Sequence, residues 1–296
     1  MAETAKKEIS ITFFEKTESK CPICGHAFHR ETLRTGGGRL NSDRLSDELR
    51  RFYKPTEKYG EIYPLIYYVM VCPHCYFAAF EKDFSEVKNK ERPELKEGEA
   101  DRKAAVALIF PDVNFKSERT LKEGIASYYL ACASYKFRVP DSAPTIKQGI
   151  SCLRAAWLLS DLHKKEPGNN YDLLAKCFYQ NAARLYRRAV HLESTGKEAF
   201  SSVAGLGPDI DKNYGFDGVL YLAGLLEYRY GSRADMRRRI KVLEEQRRSV
   251  SRVFGMGRSD KNKPKEVLDK ARDLYTELGE YISEQTEELN ESDETV

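Results

Sequence analysis

No apolar run in this chain reaches the roughly 20 residues that a membrane-spanning helix requires. The opening stretch, MAETAKKEIS, lacks the apolar core of a signal peptide. Together these absences lead us to expect a cytoplasmic protein without a membrane span. The chain also lacks a dominant charge: 49 basic and 46 acidic residues leave a net +3, too little for a global pull toward nucleic acid or an anionic membrane. Catalytic signatures are missing as well. There is no nucleophile elbow, no HExxH and no paired acidic motif. Histidines number only five. His26, His29 and His74 lie beside cysteine pairs, and His163 and His191 fall near helix ends, where a solvated or dipole-stabilised imidazole is the common state. The chain is therefore not expected to be an enzyme.

What is present suffices for a sizeable core. With 296 residues, 41% of them hydrophobic, the chain can form one large domain or two ordinary ones. Its seven cysteines should be reduced in the cytoplasm unless a metal holds some of them. Four of them form two CxxC pairs, Cys21 with Cys24 and Cys72 with Cys75. Four thiols in two pairs suit a tetrahedral structural Zn2+, because residues spaced by two can chelate from one tight turn. Pro22 and Pro73 restrict those turns. Gly25 lets backbone N–H groups turn toward sulfur, whereas the second pair has Tyr76 at that position. A redox dithiol is expected beside a βαβ pattern, which neither pair has. His29 or His74 replacing one cysteine stays open as an alternative. The other cysteines, Cys132, Cys152 and Cys177, lie on helical patterns and read as small buried apolar residues.

Residues 25–71 separate the pairs. GEIYPLIYYVMVCPHC is aromatic and β-branched and reads as a strand entering the second knuckle, and HAFHRETLR as the strand leaving the first. TGGGRLNSD lacks the Gly-Lys-Ser/Thr ending of a phosphate loop and reads as a flexible hairpin tip. Beyond residue 81 the chain alternates charge with little apolar content, as a linker or solvated helix does. Helical periodicity follows to the end. One helix is expected after a Ser117 N-cap, two more in TIKQGISCLRAAWLLSDLHKK and NNYDLLAKCFYQNAARLYRRAVHLES, and others over 215–230, 233–255 and 264–288. Residues 195–214 look inserted. Small residues at Ala182, Ala189, Gly224 and Gly231 suggest antiparallel helix pairs like tetratricopeptide repeats, in a degenerate form. The fold class expected is α+β, mostly α. A zinc-ribbon-like β module occupies 1–83, a charged linker or helix 84–103, a TPR-like helical domain 104–290 and an acidic disordered tail 291–296.

CPICGHAF, YPLIYYVMVCPHCYFAAFEKDF, NFKSERTLKEGIASYYLA and AAWLLSDL occur in that order, and together they resemble a bacterial family described as domain of unknown function 2225. The resemblance spans roughly residues 10–255 and implies a zinc-finger-like N-terminus followed by tetratricopeptide-like helices. It places the family's cysteines on Cys21, Cys24, Cys72 and Cys75, with a departure at Tyr76, where a glycine is expected. It implies no activity.

Two functional classes follow. In one, the helical array is an interaction scaffold that binds an unidentified protein or peptide. In the other, the chain binds nucleic acid through residues 229–265, which hold 13 Lys/Arg against four Asp/Glu. There Arg237, Lys241, Arg248 and Arg252 share one helical face. That face is either an anion-binding surface or a solvated one paired with Glu244 and Glu245. The scaffold is the favoured reading. No Lys or Arg follows Arg272, and residues 280–296 hold seven acidic residues; as a flexible tail they would guard the basic face weakly.

Overall fold

A computed structural model describes residues 10–200, 203, 205–254 and 265–294. These fall into two compact units, one ending at Ser134 and the other beginning at Tyr135.

The first unit starts with a hairpin, β1 (Thr12–Lys20) antiparallel to β2 (Ala27–Leu33), with a bulge between Phe14 and Glu18. Gly36, Gly37 and Gly38, all with positive φ, turn the chain into a second hairpin, β3 (Asn41–Leu45) with β4 (Arg51–Lys54). The glycines thus turn the chain, but between two separate hairpins and not at a hairpin tip, and residues 41–43 of the expected tip lie in strand β3. The entry to the second knuckle is less regular than its composition suggests. Pro64 starts a 3-10 turn over Pro64–Tyr67, because its fixed φ and missing N–H suit a first helical position. Only Val69–Val71 then forms strand β5, paired with β6 (Ala78–Phe80).

Four helices complete this unit: α1 (Glu81–Ser85), α2 (Arg92–Glu97), α3 (Glu99–Ile109) and α4 (Leu121–Tyr135). The stretch expected as a linker or solvated helix over 84–103 is helical and anchored, with Leu95 and Arg102 buried. The N-cap expected at Ser117 falls instead on Thr120, whose hydroxyl accepts from Lys122 N at 3.1 Å. Glu123 Oε2 reaches back to Thr120 N at 2.9 Å. T-L-K-E is a capping box, which satisfies two N-terminal donors reciprocally. α4 lies against the 3-10 turn. A Cβ at Gly124 would meet Ile66 Cγ2 at 2.5 Å, and Tyr128 Oη donates to Leu65 O at 2.8 Å. Arg119, buried just before α4, donates to Ile66 O and Val69 O, and its backbone N–H donates to Glu31 Oε2 at 2.9 Å. Burial holds Arg119 down to about 10 and pushes the Glu31 carboxyl up. These ties explain why the first unit runs to Ser134 and not to the boundaries at 83 and 104 expected from composition.

The second unit is an array in which each helix packs on the next: α5 (Pro144–Lys165), α6 (Tyr171–Ser194), α7 (Gly215–Tyr230), α8 (Met236–Phe254) and α9 (Lys265–Glu294). α5 is apolar around most of its circumference and is buried accordingly, with Trp157 only 1% exposed. Glycines set the helix approaches. A Cβ at Gly149 would meet Tyr186 at 2.9 Å, and one at Gly224 would meet Val250 Cγ2 at 2.5 Å. The 195–214 segment is bound to α5 through buried groups. Glu198 accepts from Thr145 N and Oγ1, covering the helix start, and Arg154 Nε donates to Pro208 O at 2.7 Å.

The acidic C-terminal stretch differs from expectation. Residues 280–294, including 291–294 of the expected tail, belong to α9, because Val267, Ala271, Leu274 and Leu278 continue a helical stripe and are buried. The seven acidic residues therefore do not form a flexible tether; residues 295 and 296 lie outside the described residues, as do 255–264 of the basic stretch. Among the described residues, no helix is long and apolar enough to cross a membrane.

Candidate metal centre

Each CxxC pair sits at the tip of a hairpin, the first between β1 and β2 and the second between β5 and β6. The two tips share one hydrogen-bond pattern. Cys21 N donates to His26 O at 2.9 Å and Gly25 N to Cys21 O at 3.0 Å; Cys72 N donates to Phe77 O at 2.9 Å and Tyr76 N to Cys72 O at 3.0 Å. The pattern requires a left-handed residue at its close. Gly25 (φ +76°) adopts that conformation without a Cβ penalty, and Tyr76 (φ +56°) is held in it. The Tyr76 ring packs edge-on against Phe115, at 5.2 Å between centroids. Tyr76 thus departs from glycine in identity while keeping its backbone geometry.

The two tips face one another. Cys21 Sγ lies 3.6 Å from Cys75 Sγ, Cys24 Sγ lies 3.6 Å from Cys72 Sγ, and all four sulfurs fall within 4.8 Å. Four thiolates at about 2.3 Å from a tetrahedral ion stand about 3.8 Å apart, so the donor set fits a metal ion. Among the described residues, this is the only group of three or more His, Cys, Asp or Glu so gathered. Cys21, Cys72 and Cys75 are buried, and Cys24 is partly so. Ile23 N also points at Cys21 Sγ, at 3.4 Å. Without a metal, Cys21, Cys72 and Cys75 titrate as a set. Hydrogen bonding with Cys21 and Cys75 draws Cys72 down to about 2, while the contact with Cys72 pushes Cys21 up to about 12 and those with Cys21 and Cys72 push Cys75 up.

No histidine joins the cluster. His29 Nδ1 lies 2.8 Å from the Glu15 carbonyl oxygen on β1, and the His74 ring stacks on His26 with centroids 5.0 Å apart.

Sequence reasoning missed Arg102. From α3 its Nε and Nη2 donate to the Cys75 carbonyl at 3.3 and 3.0 Å. This buried fork fixes the second knuckle, as supporting groups around a metal commonly do. Arg102→Ala should weaken metal affinity by about 10- to 100-fold, read by competition with a chromophoric chelator. Unchanged affinity would show that the knuckle holds itself.

The remaining expected groups lie in the second unit. Arg237, Lys241, Arg248 and Arg252 are all exposed on α8. Among the described residues, Lys241 and Arg248 form no ion pair with Glu244 or Glu245. Two further arginines of the basic stretch are structural. Arg239 is 3% exposed and donates to Tyr228 O at 2.8 Å and to Gly231 O at 3.2 Å, covering the end of α7. Arg247 Nε donates to Tyr275 O at 3.1 Å. Of the isolated cysteines, Cys152 is buried as expected, Cys132 is only partly so and Cys177 is exposed. Cys177 precedes Phe178 on α6 and so falls off the buried stripe of Phe178, Ala182, Leu185 and Ala189.

The family described as "Uncharacterized protein conserved in bacteria (DUF2225)" matches residues 14–278. An uncharacterized protein of Borreliella burgdorferi (strain ATCC 35210 / DSM 4680 / CIP 102532 / B31) is 41% identical over 268 residues, covering 90% of this chain and 96% of its own. No solved structure matches the chain. With nearly its whole length matched, the chain belongs to the DUF2225 family of proteins conserved in bacteria.

Proposed function

We propose that this chain is a non-enzymatic, zinc-binding interaction scaffold, in which a TPR-like helical surface takes a protein partner. The observation that carries this reading is a groove of about 1130 Å³ in the second unit. It is walled by α5, α6, the end of α7 and residues 231–234. That volume lies at the top of the roughly 300–1,000 Å³ range of ligand clefts, and the groove is open, so it has room for a peptide segment. A site of four cysteines supports a structural role for the metal. Four thiolates close the coordination shell of zinc and leave no position for a substrate, and soft sulfur donors favour zinc over magnesium or calcium. The three cysteines outside the cluster, none in a disulfide, suit a reducing cytoplasm.

A photo-crosslinking amino acid placed in cells at Gln180, in the groove, should give discrete protein adducts. One placed at exposed Asp269 on α9 should not. Equal labelling from both positions, or none from either, would refute the scaffold reading.

Nucleic-acid binding is the second reading, favoured by the four exposed cations on α8. It predicts adducts to RNA or DNA from α8 positions, sensitive to nuclease and to salt.

A further inference from the structure

The same groove has an electrostatic character that the chain as a whole lacks. Lys164, Lys176, Arg184, Arg187, Arg229 and Arg233 line it. Only two carboxylates, Asp172 and Glu227, stand among them. Six cations against two anions, with His163 neutral, exceed the net +3 of all 296 residues. Part of this charge is satisfied internally. Glu227, 8% exposed, pairs with Arg187 at 3.5 Å, and Lys164 pairs with Asp161 at 3.5 Å. Among the described residues, Lys176, Arg184 and Arg233 have no carboxylate partner. Tyr179 and Tyr230 stack in the groove with centroids 4.2 Å apart and planes 8° apart, a flat aromatic surface flanked by cations.

We infer that this groove binds an acidic peptide segment of a partner protein, a statement that rests on the scaffold reading and names the partner's chemistry. Charge complementarity selects the acidic side chains, because unpaired cations beside low-dielectric walls focus the field on an incoming anion. The stacked tyrosines offer contact to the peptide's apolar groups. One exposed carboxylate, Asp172, separates a peptide from a nucleic acid. A phosphodiester carries a negative charge at every unit and meets Asp172 with repulsion, whereas a peptide can space its acidic side chains and donate a backbone N–H to that carboxylate.

The test uses full-length, zinc-loaded protein and fluorescence anisotropy. The probes are a labelled peptide of alternating glutamate and tyrosine, its glutamine–tyrosine counterpart, and an oligodeoxythymidine of similar length. The groove variant carries Lys176→Glu and Arg233→Glu, both at exposed positions. The control carries Arg248→Glu and Arg252→Glu on α8, and circular dichroism checks that both fold. The acidic peptide should bind at low salt and weaken by about tenfold or more in the groove variant. It should hold within about twofold in the control and weaken as salt rises. The glutamine peptide should bind the native groove about tenfold more weakly than the acidic one. The inference is overturned if the acidic peptide fails to bind, binds the groove variant equally, or loses affinity equally in the α8 control. It is also overturned if the glutamine peptide binds as tightly, or if oligodeoxythymidine displaces the acidic peptide from the native groove at lower concentration. Persisting protein adducts from Gln180 alongside any of these results would keep the scaffold reading and remove only its acidic partner. Loss of both would remove the two together.

Discussion

Cys72→Ser should abolish stoichiometric metal binding and unfold the first unit through Ser134 while leaving α5–α9 folded. Cys72 is fully buried between the two hairpin tips, with its sulfur 3.6 Å from that of Cys24. A structural zinc contributes about 10–16 kcal/mol of apparent binding free energy at neutral pH. Domain stabilities are about 5–15 kcal/mol, so no small β module survives such a loss. The structure enlarges what should unfold. Arg102 on α3 holds the Cys75 carbonyl, Arg119 holds the chain entering β5, and Gly124 of α4 lies against Ile66. Hydrogen exchange on the full-length variant should therefore show lost protection over 10–134 and retained protection over α5–α9. Protection persisting in α3 and α4 would mean that these helices do not depend on the metal.

Trp157→Ala should have the next largest effect, in the second unit. Trp157 is 1% exposed on α5, the most enclosed helix of the array. Removing a buried tryptophan costs about 3–5 kcal/mol through lost transfer energy and the cavity left behind. In a unit of this size that lowers the melting temperature by about 10 °C. Trp157 is the chain's single tryptophan, so native emission reports its environment directly and should be blue-shifted. Solvent-like emission, or a loss below about 1 kcal/mol, would contradict the packing described for α5.

The four-cysteine cluster was the most legible part of the chain, because thiolate chelation demands particular residue types at a fixed local spacing. Cys21, Cys24, Cys72 and Cys75 declare themselves although residues 25–71 intervene. Helices α5, α6 and α7 were legible from the periodicity of Leu, Ala, Phe and Tyr. Other features were hidden by the same kind of reasoning. Arg102 lies in a stretch whose composition matches a solvated linker, and nothing local distinguishes a buried guanidinium from an exposed one. Arg239 and Arg247 are likewise indistinguishable by type from Arg237 and Arg248, yet the first two satisfy carbonyls and the second two face solvent. The acidic end of α9 reads as a tail when its charge is counted and as a helix when its apolar spacing is followed. The capping box at Thr120 and Glu123 was legible, and Ser117 drew attention from it. The groove could not be read at all, because its cations come from α5, α6, α7 and residues 231–234, and only the packing of the helices brings them together.

The central claim is that the two hairpin tips form one closed zinc site, and X-ray absorption at the zinc edge of the purified full-length protein tests it most directly. The account predicts one zinc per chain with four sulfur neighbours at about 2.3 Å and no nitrogen or oxygen bonded to the metal. Absence of zinc from protein purified without oxygen or chelators, or a zinc bonded to nitrogen or oxygen, would contradict it.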